Sequence, residues 1–464
     1  MLQRQPAFVG RVHELAVLQD VAERDSGALV LVSGRRRIGK TYLLQHFIHN
    51  RRAIFYQATR QAPNVELTAF TREVERALGT FPPGYSYPTW DAAFDDLTAR
   101  CDEKRLVVVL DEFSYLCDSS PGMPSIVQRW WDLRGRNSSI MLVLCGSSQS
   151  FMADLDNGSA PLHQRFTAKI RLGPLTFREA ALFVPTLTPA DRARVYGVLG
   201  GTPLYLREWN AARPVRENLI RLFGDPAGLL VDSARLVLHT DLGDATAAYR
   251  ALSAVAAGAT RRNDILQKAN ITNERVLHRL EELSVLTRRV PITEGNASRR
   301  GVFAVTDPYF RFWFRFIEPH QAAIDRGFGE RLIDDVLREG LETHMGSVFE
   351  DMARTFAAEL VHAGELEALD VGAWWSTDGD HEIDVVGVRR TKVTFIGSVK
   401  WRAAPLGRDV YRNLLRHANA LNIDESIPWL LIGRGGAEPT LLEREPHVRA
   451  YDIDDLYAPR HRNR

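Results

Sequence analysis

Cysteine is scarce. Cys101, Cys117 and Cys145 are the only three in 464 residues, with no C-x-x-C pair and no histidine cluster beside them. That excludes a disulfide framework and a cysteine-based zinc site, and it leaves small core residues of a reduced compartment. Long apolar runs are missing too: no stretch reaches the roughly 18 residues of a membrane helix. The opening Met1-Leu2-Gln3-Arg4-Gln5-Pro6 lacks a signal-peptide apolar region. A cytoplasmic protein without membrane contact is therefore expected. Nor does one sign of charge dominate, since 59 Lys and Arg against 58 Asp and Glu leave a net +1, so any basic surface must be local. The remainder is ordinary for a soluble globular chain, 45% hydrophobic and 25% charged, and its length predicts about three domains.

What is present is organised around Gly34-Arg35-Arg36-Arg37-Ile38-Gly39-Lys40-Thr41. The apolar run Ala28-Leu29-Val30-Leu31-Val32 precedes it and the helical Tyr42-Leu43-Leu44-Gln45-His46-Phe47-Ile48 follows. This is the G-x-x-x-x-G-K-[ST] pattern between a strand and a helix. Two glycines let the backbone wrap a polyphosphate, and consecutive N–H groups with the helix N-terminus point at anionic oxygens. Lys40 adds a mobile cation, and Thr41 supplies a hydroxyl to Mg²⁺. ATP and Mg²⁺ are the expected ligands.

Leu106-Val107-Val108-Val109-Leu110-Asp111-Glu112 reads as a buried central strand ending in two carboxylates. Asp111 would hold Mg²⁺ and Glu112 would polarise the attacking water. A third strand, from Ser139 to Cys145, ends in Gly146-Ser147-Ser148, where Ser147 or Ser148 is placed to sense the γ-phosphate. Arg165 is a candidate cationic contact to phosphate. A helical region begins at Gly173-Pro174-Leu175-Thr176 and is broken at Gly200-Gly201-Thr202-Pro203.

The set FVGR, GRRRIGKT, VVVLDEF, LCGSS, LGPLTFREA and GGTPLYL, in that order, resembles the archaeal-type ATPases of the STAND branch of AAA+ proteins over roughly the first half of the chain. The resemblance implies that Gly201-Thr202-Pro203 closes a helical lid on adenine and that nucleotide state moves the lid. Gln164 departs from it, standing where relatives tend to place glycine before the arginine.

Residues 247 to 307 read as three short helices and a ribbon, a winged helix-turn-helix in outline. Thr272 is the expected N-cap of the third helix, and the ribbon loop contains Gly295 and Asn296. Cations stand where such a domain would meet duplex DNA, with Arg275 and Arg279 on the third helix and Arg288 and Arg289 on the ribbon. Packing against the lid is the competing role. Asp307-Pro308-Tyr309-Phe310-Arg311-Phe312-Trp313-Phe314 is expected to anchor a core rather than stack on bases.

A second α/β unit begins near residue 341. It resembles the PD-(D/E)XK nuclease fold, with Glu350, Asp384 and Lys400 matching the helix acid, the strand acid and the lysine. In active members of that family, the resemblance implies, the acids hold Mg²⁺ and the lysine orients water. Ser398 replaces the family's second strand acid. Glu382, on the same strand face as Asp384, is the one carboxylate placed to substitute. An inactive domain is expected.

The fold expected is therefore α/β: a P-loop core at 1–175, a helical lid at 176–240, a winged helix and connector at 241–320, and a restriction-endonuclease-like domain at 321–464. The leading function is an ATP-driven switch acting on DNA, a protein partner or a second copy. An ATP-regulated nuclease and a scaffold with a permanently bound nucleotide are the competing classes.

Overall fold

The computed structural model describes residues 8–79, 81–101, 104–242, 245–295, 297–423 and 425–459; Asn296 and residues 1–6 lie outside the described residues. The described chain forms two compact units. The first runs to Leu175 and includes Thr202–Leu204, and the second takes Thr176–Gly201 and the chain from Tyr205 onward.

In the first unit, strands β1 (Ala28–Ser33), β2 (Ala53–Gln57), β3 (Leu106–Asp111), β4 (Ile140–Gly146) and β5 (Ala168–Arg171) form a parallel sheet in the order β2-β3-β4-β1-β5. The continuous apolar runs are required because both faces are covered. Leu29, Leu31, Val108, Leu110, Leu142 and Leu144 enter one core. Val30, Val32, Val107, Val109, Met141 and Val143 enter the other. Parallel register sets Ser33 opposite Gly146 and Gln57 opposite Asp111. The chain therefore leaves β1, β3 and β4 at the same carboxyl edge, where ligands of open α/β sheets bind. The proline-rich stretch after β2 holds two helices, Pro63–Leu78 and Trp90–Arg100, with Pro63 in the first turn of one and Thr89 capping the other.

In the second unit, helices Thr246–Ala256, Arg262–Lys268 and Arg275–Glu282 precede an antiparallel ribbon of β6 (Leu286–Arg289) and β7 (Val302–Val305). Thr272 is not the cap of the third helix: the N-cap position is Glu274 without a side-chain cap bond, and Asn273 Oδ1 accepts from the Arg275 N–H at 3.0 Å in the turn ahead of it. The aromatic segment is core: Tyr309, Phe310, Phe312, Trp313 and Phe314 are all buried.

Helix Leu341–His362 then packs on a five-stranded sheet in the order β12-β11-β10-β9-β8. Its strands are β8 (Asp370–Trp375), β9 (Glu382–Arg389), β10 (Lys392–Lys400), β11 (Trp429–Gly433) and β12 (Val448–Tyr451). β8, β9 and β10 pair antiparallel, and β10, β11 and β12 pair parallel. Helix Arg408–Ala420 connects β10 to β11. Among the described residues no helix is long and apolar enough to cross a membrane.

Candidate functional site

The loop from Gly34 to Gly39 links β1 to helix Lys40–Ile48. Its course depends on left-handed backbone at Gly34 (φ 156°), Arg37 (φ 66°) and Gly39 (φ 95°). A Cβ on Gly34 would lie 2.6 Å from the Leu172 carbonyl oxygen, so a larger residue would push the loop out of place. Ile38 anchors the loop in the core. Lys40 is buried, and its Nζ donates to the carbonyls of Gly34 at 2.7 Å and Arg35 at 3.1 Å. The Thr41 hydroxyl donates to Asp111 Oδ2 at 2.8 Å. This places a hydroxyl and a carboxylate within reach of one cation.

Glu112 sits in left-handed backbone (φ 52°), uncommon for a glutamate. The turn carries its carboxylate to β4, where Ser147 Oγ donates to Glu112 Oε2 at 2.8 Å. Residues 34–41, Asp111, Glu112 and Ser147 thus share one edge. Together they offer a phosphate cradle, two groups for a cation and a carboxylate free of cationic neutralisation by an ion pair among the described residues.

Two further residues brace the loop, and local spacing did not single them out. Arg11, buried and in left-handed backbone, donates to the carbonyls of Ile38 at 3.2 Å and Gly173 at 2.6 Å. Tyr115, on the helix after Glu112, accepts from Arg36 through its hydroxyl. Thr202 and Pro203 fold with this unit: Arg35 donates to Thr202 Oγ1 at 2.9 Å, and Pro203 Cγ lies 3.6 Å from where a Gly39 Cβ would be. The signal for Arg11 was the FVGR motif, but its two carbonyl acceptors are 27 and 162 residues away.

Arg165 does not join this set. Its guanidinium forms a bidentate pair with Asp132, Nε to Oδ1 at 2.9 Å and Nη2 to Oδ2 at 2.8 Å. That pair holds the Asp132 carboxyl below its usual range. The preceding Gln164 occupies left-handed backbone (φ 59°), a conformation glycine adopts without cost.

On the three-helix module, helix Arg275–Glu282 buries Leu277 and Leu280 and exposes Arg275 and Arg279, neither of which pairs with a carboxylate among the described residues. The ribbon arginines are committed elsewhere. Arg288 donates to the Ser298 carbonyl. Arg289 pairs with Asp351 at 2.6 Å, together with Arg311 at 2.8 Å and Arg354 at 2.5 Å. Burial opposes ionisation of Asp351, but the three guanidiniums outweigh it and hold the carboxyl well below its usual range. The expectation that Arg289 meets DNA is corrected accordingly, because its guanidinium is engaged with Asp351 inside the unit.

At the carboxyl end of β10, Asp384 Oδ2 accepts from the Val399 N–H at 2.7 Å, Ser398 Oγ at 3.2 Å and Lys400 Nζ at 3.2 Å. Glu350 is close enough to feel this charge. Burial first, and Asp384 second, push its carboxyl up to about 7. Glu382 is raised by the same two causes, as like charges in a partly dry site demand. Sequence alone could place Ser398 with Lys400 and Glu382 with Asp384, each pair on one face of its own strand, but not show that the Ser398 hydroxyl bonds to Asp384.

Residues 8–209 match a family described as an ATPase domain predominantly from Archaea. Residues 313–414 match one described as Archaea bacterial proteins of unknown function. An uncharacterized protein of Methanocaldococcus jannaschii is 27% identical over 427 residues, 90% of this chain and 93% of that one. The chain is also similar to the Walker-type ATPase of Pyrococcus abyssi (TM-score 0.47, 16% identity, 68% of this chain and 99% of that chain). A further similarity is to the ORC2 protein of Aeropyrum pernix (TM-score 0.41, 14% identity, 73% and 96%). The family match supports an ATP-binding ATPase domain over residues 8–209.

Proposed function

We propose that the chain is an ATP-hydrolysing molecular switch of the STAND type, with a core at 1–175, a lid at 176–240, a winged helix and connector at 241–320 and a nuclease-like domain at 321–464, working in the cytoplasm. The observation that carries this reading is the convergence of Lys40, Thr41, Asp111, Glu112 and Ser147 on one sheet edge. Thr41 and Asp111, already in contact, would hold Mg²⁺, which when bound supplies charge neutralisation to the phosphates. Lys40 and the loop N–H groups orient the polyphosphate. Glu112 takes the proton of the attacking water, and Ser147, its hydrogen-bond partner, keeps the carboxylate aimed. Pro203 and Thr202, at the loop, are placed to transmit nucleotide state through Arg35.

The output surface of the switch is the exposed side of helix Arg275–Glu282, which would meet duplex DNA through Arg275 and Arg279. Affinity for duplex DNA should then fall steeply with salt, and Arg275→Ala with Arg279→Ala should flatten the log–log slope by about one unit per lost phosphate contact. Fluorescence anisotropy across a salt series reads this. A salt-insensitive or absent signal, with and without ATP, would instead favour a protein partner or a second copy as the target.

The nuclease-like domain is read as inactive because Ser398 cannot supply the second strand carboxylate. Wild-type protein should leave plasmid and linear DNA intact in Mg²⁺ or Mn²⁺, and Ser398→Glu should restore measurable cleavage. Wild-type cleavage that vanishes in Asp384→Ala would overturn the inactive reading in favour of a nuclease and point to Glu382 as the substitute ligand. What favours that second reading is the grouping of acids and lysine, with Lys400 Nζ 3.2 Å from Asp384 Oδ2 and Glu350 and Glu382 near enough to feel the Asp384 charge.

A further inference from the structure

At the other end of the C-terminal sheet, Glu425, Glu445 and His447 come together. One carboxylate oxygen or imidazole nitrogen from each lies within 4.8 Å of the others. Glu425 precedes β11, and Glu445 and His447 lie in the short turn leading into β12, closed by the Val448 N–H donating to the Glu445 carbonyl at 2.9 Å. Trp429 starts β11 opposite Ile396, whereas Lys400 is opposite Gly433. Four residues of strand, ~13 Å, therefore separate this cluster's end of the sheet from that of Asp384 and Lys400.

The hydrogen-bond count of the cluster does not close. The Tyr411 hydroxyl, on helix Arg408–Ala420, lies 3.2 Å from Glu425 Oε1 and 3.1 Å from Glu445 Oε2, but one hydroxyl proton serves one acceptor at a time. No lysine or arginine among the described residues pairs with either glutamate. The His447 ring stands edge-on to Trp429 at 5.2 Å, which fixes its plane. Its Nε2 is buried and has no partner among the described residues. Two carboxylates and one imidazole nitrogen thus converge with no cationic side chain among the described residues between them, which leaves the point short of positive charge. A divalent cation supplies it.

We propose that Glu425, Glu445 and His447 bind a first-row divalent metal ion of the Zn²⁺ kind. Mixed imidazole and carboxylate donors suit Zn²⁺ better than Mg²⁺, and three protein ligands leave a position for water. The ion fastens the segment after helix Arg408–Ala420 to the turn before β12. Tyr411 then donates its proton to a metal-bound carboxylate, the outer-sphere support such ligands commonly have.

The test uses the full chain, freed of metal with a chelator and kept without nucleotide. Zn²⁺ uptake is measured by calorimetry and elemental analysis, and Co²⁺ uptake by its visible absorption. Wild type should take up one equivalent that is lost in His447→Ala and in Glu425→Gln and kept in Asp384→Ala. Tyr411→Phe should weaken it by about 10- to 100-fold. Unchanged ATP affinity and circular dichroism show that each variant is folded, and Glu425→Gln, on an exposed residue, serves if His447→Ala is not. No uptake by wild type, uptake unchanged in folded Glu425→Gln, or uptake lost with Asp384→Ala would each overturn the proposal.

Discussion

Lys40→Ala should bring ATP hydrolysis below detection and weaken ATP binding by roughly 10- to 100-fold, the worth of one or two charge-assisted hydrogen bonds. The reason is positional. Lys40 is buried with its Nζ on the Gly34 and Arg35 carbonyls, so the ammonium is already desolvated and held within the loop. A charge preorganised in this way stabilises developing phosphate charge without reorganisation, and removing one such group costs about 10²–10³ in rate. Because the side chain also joins two loop carbonyls, its loss leaves those acceptors without the lysine, and both affinity and turnover should fall. Calorimetric titration with ATP beside a phosphate-release assay separates the two. ATP affinity equal to wild type would sink the assignment of this loop as the phosphate site.

Glu112→Gln should behave differently: ATP binding retained, turnover reduced by about 10²–10⁴, the range for a lost general base. The side-chain amide keeps the size of the carboxylate and can still accept from Ser147 Oγ, so the hydrogen bond seen at 2.8 Å need not be lost, and Thr41, Asp111 and Lys40 are untouched. Only the capacity to take a proton disappears. A loss confined to kcat is the signature of an interaction made in the transition state alone. Single-turnover hydrolysis with nucleotide in excess over its Kd reads it directly. Wild-type turnover in this variant would mean that water is activated from another residue. Loss of binding would mean that the left-handed turn at Glu112, and not its carboxylate, is what the site depends on.

These two residues also mark the boundary of what local sequence could determine. The phosphate loop was legible because its chemistry requires consecutive residues: a wrapped backbone, a lysine and a hydroxyl at fixed spacing. The β3 run ending in Asp111 and Glu112 was legible because a strand covered on both faces must be apolar throughout, as the two cores fed by its alternate residues demonstrate. The helix-and-ribbon order between 246 and 305 followed from periodicity in the same way. Ser398 and Lys400 could be placed on one face of their strand, and Glu382 and Asp384 on one face of theirs, because side chains alternate along a strand.

What tertiary structure alone decided is where each charge is satisfied. Arg165 and Arg289 look like any other arginine in a basic stretch. Asp132, 33 residues from the first, and Asp351, 62 residues from the second, take them out of contention for phosphate. Ser147 acquires its partner across 35 residues, through parallel pairing of β3 and β4. Arg11 reaches the Gly173 carbonyl across 162 residues. The Glu425, Glu445 and His447 cluster has no spacing signature, since its members meet only when β11 and β12 pair in register. Periodicity records which face of an element is dry, a property of neighbours three or four residues apart. Ion pairing and hydrogen-bond completion are settled between elements, over distances along the chain at which a sequence pattern carries no information.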